Sequence, residues 1–114
     1  MLRVSYGDVS CAARAVLNVP STRRARRIRA MLAEAHAGHA YLKATGRMHP
    51  KLGDGTLMAV ARRTRLPPEP SLGDPDYAAC VELVLRIVRE WRAERVNRRR
   101  RTRSGSPPDQ APAV

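Results

Sequence analysis

An all-α fold is the class this sequence predicts: a compact three- to four-helix domain followed by a disordered basic C-terminal tail. Apolar residues recur at helical spacing in separate stretches, no run of any length alternates in the manner of a strand, and proline and glycine clusters divide the stretches. The boundary is expected near residue 92, with 1–92 as the helical domain and 93–114 as a flexible arm, arginine-rich and then proline-rich. That arm holds too few apolar residues to offset the entropy of ordering it. The domain has no phenylalanine and one tryptophan, so its core must come from Leu, Val, Ala, Met and Ile. A core of that kind packs helices closely but stays small, and dimerisation or docking on a partner is expected.

The first helix is announced by Ser5 and Asp8, a capping box in which each side chain satisfies a backbone N–H of the other. Val9, Ala12, Ala13, Val16 and Leu17 then share one face, and Val19-Pro20 ends the run, since proline pushes its predecessor out of the helical region. Ser21 or Thr22 can cap a second helix whose apolar face passes through Ile28, Met31, Leu32, Ala35, His39 or Ala40, and Leu42. Gly46 is placed to end it in the left-handed conformation. Gly38, in its interior, costs about 1 kcal/mol relative to alanine, which predicts a break or a close packing contact there. After a turn-rich connection, Asp54 or Thr56 caps a short helix with Leu57, Met58, Val60 and Ala61 inward. Three prolines then make 66–70 irregular. Asp74-Pro75 supplies an N-cap followed by proline at the first helical position. The fourth helix carries a wide stripe of Tyr77, Cys80, Val81, Val84, Ile87, Val88 and Trp91, widened by Leu83 and Leu85. Val84, Ile87, Val88 and Trp91 are the expected interface to a partner helix or a second copy. Cys11 and Cys80, in apolar helical contexts, read as buried small hydrophobes.

Charge is the strongest functional signal. Twenty arginines and two lysines stand against ten acidic residues, a formal net charge of +12. Such an excess points to an anionic partner, and the preference for arginine fits forked contacts to phosphate or carboxylate. Codon usage in a G+C-rich genome is the competing explanation. One cluster, Arg23, Arg24, Arg26, Arg27 and Arg29, opens the second helix, where positive charge opposes the helix dipole and so serves something other than the isolated fold. Arg62 and Arg63 follow the third helix. The last cluster comprises Arg92, Arg95, Arg98, Arg99, Arg100, Arg101 and Arg103. With about five phosphates neutralised, binding would fall with salt at a log–log slope of about −4.5.

Few asparagines or glutamines accompany these arginines, so the expected contact is to a nucleic-acid backbone, DNA ahead of RNA, with weak sequence preference. A non-enzymatic adaptor or oligomeric assembly protein, its arginines on an acidic protein, is the alternative. No RNP-like aromatics, KH-type loop or zinc-finger spacing occurs. His36, His39 and His49 lack metal-ligand spacing, the 51–56 turn lacks a phosphate-loop pattern, and no nucleophile is paired with a base. No enzyme activity, cofactor or metal is therefore expected. No stretch is long and apolar enough to cross a membrane, and no cleavable leader pattern opens the chain, so a cytoplasmic location is expected.

The segments RVSYGDV, GRMHPKLGDGTLMAVARR and EPSLGDPDY resemble those of a family of short, uncharacterised helical proteins from α-proteobacteria, over residues 3–90. Some small proteins of that bacterial group belong to phage-derived gene-transfer particles, where a small terminase is a basic, helical, oligomeric DNA-packaging adaptor. The resemblance implies a packaging accessory and no catalytic or ligand residues.

Overall fold

A computed structural model of the chain describes residues 3–103. Helices α1 (Tyr6–Val16), α2 (Ser21–Thr45), α3 (Leu57–Ala61) and α4 (Pro75–Arg103) form an all-α body, with no strand among the described residues. Helix α1 is the hub, packed most extensively against α4 and α3. Its Ala12, Ala13 and Val16 are fully enclosed, and small side chains there let the neighbouring backbones approach. Ile28, Leu32, Leu57, Val84 and Ile87 complete the core from the other three helices. Each large aliphatic side chain so buried contributes on the order of 2 kcal/mol. Cys11 and Cys80 are buried and free, as expected of small hydrophobes, and burial pushes the Cys80 thiol up from its ordinary pKa.

The predicted capping box forms and does more than cap. The Asp8 carboxylate accepts from Ser5 N at 2.8 Å and Ser5 Oγ at 2.9 Å, and its second oxygen accepts from Met58 N at 2.9 Å. One buried carboxylate thus satisfies open donors of both α1 and α3 and ties the two helices together. Thr56 Oγ1 accepts from Ala59 N at 3.1 Å, so a five-residue helix has its first turn satisfied. Asp54 supports the cap from outside, and hydrogen bonds from the Thr56 hydroxyl and N–H hold its carboxyl below the usual range. At α4, Asp74 Oδ1 accepts from Asp76 N and Tyr77 N, with Pro75 in the first helical position as predicted.

Helix α2 departs from the predicted start. Pro20 is its N-cap and no side chain caps it, because Ser21 and Thr22 already lie within the first turn. Its far end is as expected, with Gly46 left-handed at φ 71°. Gly38 does not break the helix. A Cβ there would lie 3.1 Å from the Leu52 carbonyl oxygen and 3.3 Å from Gly55 Cα, so the missing side chain is what lets the 48–56 loop lie flush on α2. The loop is held from within as well, since His49 Nδ1 accepts from Lys51 N and Leu52 N, both at 3.0 Å.

The last helix runs past the boundary that composition predicts. Helix α4 does not end near residue 92 but continues to Arg103. Arginine is a good helix former, and no proline or glycine interrupts 93–103. The extension is anchored at its base, where Arg29 pairs with Glu94 at 3.4 Å and the Arg95 guanidinium stacks 4.8 Å from the Trp91 ring centroid. The remainder of the predicted flexible arm, 104–114, lies outside the described residues.

The expected interface is corrected too. Val84, Ile87 and Val88 are buried in the chain's own core, and Trp91 is half-buried against His36. The side of the stripe left open is instead Leu85, 49 % exposed, beside Tyr6 and Leu72. None of the described helices is long and apolar enough to cross a membrane.

Candidate polyanion interface

Folding sorts the predicted arginines into three groups. Arg24 is structural. Its side chain is only 14 % exposed; Nε donates to the Val19 carbonyl at 2.9 Å, Nη2 to that of Leu17 at 3.0 Å, and Nη1 meets Asp76 at 2.9 Å. One guanidinium therefore fills the open carbonyls beyond α1 and joins them to the start of α4. The Asp76 hydrogen bond raises its pKa further. Arg24→Ala is expected to lower stability by about 2 kcal/mol and the melting midpoint by about 10 °C in thermal unfolding followed by circular dichroism. Arg29, bound to Glu90 and Glu94, and Arg63, bound to Glu34, form the second group. These pairs lie at the surface, contribute little to stability, and blunt the charge they carry.

Six of the remaining predicted arginines line two clefts. The first is a cleft of about 630 Å³ between the α1–α2 turn, the first turns of α2 and the 64–67 segment. Arg14, Arg23, Arg26, Arg27 and Arg65 line it, and no carboxylate among the described residues does. Consecutive turns of α2 bring Arg23, Arg26 and Arg27 together. The 64–67 wall is positioned from α1, where Ser10 donates to Glu69 and shares a 2.9 Å hydrogen bond with Tyr77, while Arg14 Nη1 donates to the Pro67 carbonyl at 3.3 Å. Arg14 and Arg65 are the residues that sequence reasoning missed. A lone arginine in the alanine- and valine-rich first helix was the available signal for Arg14; nothing local marks Arg65.

The second place is a cleft of about 430 Å³ between α2 and the α4 extension, lined by His36, Arg95, Arg98, Arg99 and Thr102. Arg95, Arg98, Arg99 and Thr102 follow helical spacing along one side of α4, which turns them toward His36. Burial, then the nearby charges of Arg95, His39 and Arg99, depress the His36 pKa below its ordinary value. Arg100 and Arg101 are exposed on the same extension, which reaches Arg103. Arg62, at the C-cap of α3, is exposed and lines neither cleft. Among the described residues no group of three or more His, Cys, Asp or Glu side chains could hold a metal ion.

No curated protein and no solved structure matches the chain. A family model does, the domain of unknown function DUF7742, over residues 2–88, which takes in α1 to α3 and the buried part of α4 but not the arginine-rich extension. The chain belongs to that family.

Proposed function

We propose that the protein is a non-catalytic binder of the nucleic-acid phosphate backbone, acting as a regulator or packaging accessory. One observation carries the reading: the exposed arginines of the α4 extension, Arg98, Arg99 and Arg100, project beyond the core with no carboxylate partner among the described residues. Fixed charge that contributes nothing to the fold, held on one helix, suits a linear polyanion. A single helix enters the B-form major groove, about 12 Å wide, whereas the A-form groove is too deep and narrow for it, which favours DNA over RNA. Asn97 is the one amide on the extension able to read a base, so discrimination is weak.

The test is an electrophoretic mobility titration of the full chain against duplex DNA, single-stranded DNA and duplex RNA at several salt concentrations. The expected result is preference for duplex DNA with a log–log salt slope of about −4.5. Absence of binding to every probe in dilute buffer overturns the reading. It would leave the second one, an adaptor for an acidic protein, which the apolar groove formed by Tyr6, Leu72, Val81 and Leu85 beside Arg89 favours.

His36 makes the binding pH-dependent. In the free protein its folded pKa lies below the ordinary value of 6.5, so neutral His36 favours the fold above pH 6.5, and that contribution is lost as pH falls from there through the lowered folded pKa. A phosphate in the cleft reverses the bias, and binding takes up a proton. Duplex affinity at pH 5.5 is expected to exceed that at pH 7.5 by about threefold more in the parent protein than in His36→Gln. Equal pH dependence in the two, measured by fluorescence anisotropy, would remove His36 from the interface.

A further inference from the structure

We infer that the cleft between the α1–α2 turn and the 64–67 segment is a separate site for a nucleoside polyphosphate. Three features distinguish it from a surface for a nucleic-acid strand. The first is concentration of charge. Five arginines line about 630 Å³ with no carboxylate among the described lining residues, and a concave wall focuses their field. A backbone crossing a void of this size brings in about one charge per 3.4 Å of its length. A triphosphate brings more charge into the same space.

The second feature is depth. Arg14 is half-buried, and its Nε is enclosed without a hydrogen-bond partner. Its other contacts are long, 3.3 Å to the Pro67 carbonyl and 3.4 Å to Cys11 Sγ, and none is to an acid. A half-buried guanidinium with no acid in contact among the described residues gains from an anion bound in the cleft that it lines. A terminal phosphate on a small molecule reaches there. A duplex, rigid and wide, stays at the rim. The third feature is the apolar part of the lining, where Ala15, Val19, Pro20, Ala30 and Pro67 offer area to a base and sugar.

The site goes beyond the proposed backbone binding and is tested apart from it. Isothermal titration of the full chain with ATP, AMP and inorganic tripolyphosphate is the experiment. The expected result is one ATP per chain, with AMP and tripolyphosphate each bound about tenfold more weakly, the first for lack of charge and the second for lack of the apolar contact. Arg26→Ala with Arg27→Ala, both at exposed positions on α2, is expected to lower ATP affinity by about 30-fold or more. Ala30→Leu, which narrows the cleft without changing its charge, is expected to lower it by about tenfold, with helical content unchanged in both variants by circular dichroism. Alanine at Arg98, Arg99 and Arg100 should leave ATP affinity within about threefold while duplex binding is lost. No ATP binding in dilute buffer overturns the inference. So does tripolyphosphate binding as tightly as ATP, or an equal loss of ATP binding in the α2 and α4 variants, since each describes a diffuse polyanion surface.

Discussion

Alanine at Arg98, Arg99 and Arg100 together is expected to weaken duplex-DNA binding by about 100- to 1,000-fold near 0.1 M salt. Each backbone contact contributes about 0.9 to the log–log salt slope, so the slope should shrink from about −4.5 to about −1.8. The fold should not suffer, because these side chains are exposed, carry no ion pair among the described residues, and give way to alanine, the best helix former. The informative comparison is Arg29→Ala with Arg63→Ala, which removes arginines already bound to Glu90, Glu94 and Glu34. That variant should change affinity by only about twofold, since pairing already offsets those charges. Equal losses in the two variants would mean that net charge, not the arrangement on α4, attracts the polymer.

Gly55→Ala is expected to be the most damaging single substitution for stability. Gly55 has φ +87°, and a Cβ on it would lie 2.5 Å from the backbone N and Cα of His39. The left-handed backbone alone costs an alanine about 1–2 kcal/mol. The clash adds to this because its partner is the backbone of α2, which cannot rotate away as a flexible side chain could. The 48–56 loop must then lift from α2, opening Gly38 and the start of α3. A loss of about 3 kcal/mol or more is expected, a large part of the stability of a domain this small, with a fall in melting midpoint of about 15 °C. Gly46→Ala is the control, since it shares the left-handed backbone at φ +71° but has no atom within 4 Å of the added carbon. It should cost only the backbone strain, about 1 kcal/mol, in urea unfolding followed by circular dichroism. If the two glycines respond equally, close packing of the loop on α2 is not what holds it.

What the sequence by itself determined is what short-range chemistry decides. Ser5 with Asp8, Thr56, Asp74 with Pro75, and Gly46 mark helix ends because a cap and its donors lie within a few residues of each other. The stripes from Val9 to Val16 and from Tyr77 to Val88 mark the core because helical spacing alone puts those residues on one side. Only the tertiary structure decided which arginines are free. Arg24 and Asp76 are 52 positions apart, and Arg29 meets Glu90 across 61, so no local pattern separates these from Arg23 or Arg26. The same holds for Val84 and Leu85, adjacent and alike in composition, of which the core encloses one and leaves the other to solvent. It holds also for the arm beyond residue 92, where composition alone could not show that Trp91 and Arg29 would anchor the continuing helix. Charge type is written in the chain, but whether a charge is paired depends on contacts between residues that only folding brings together.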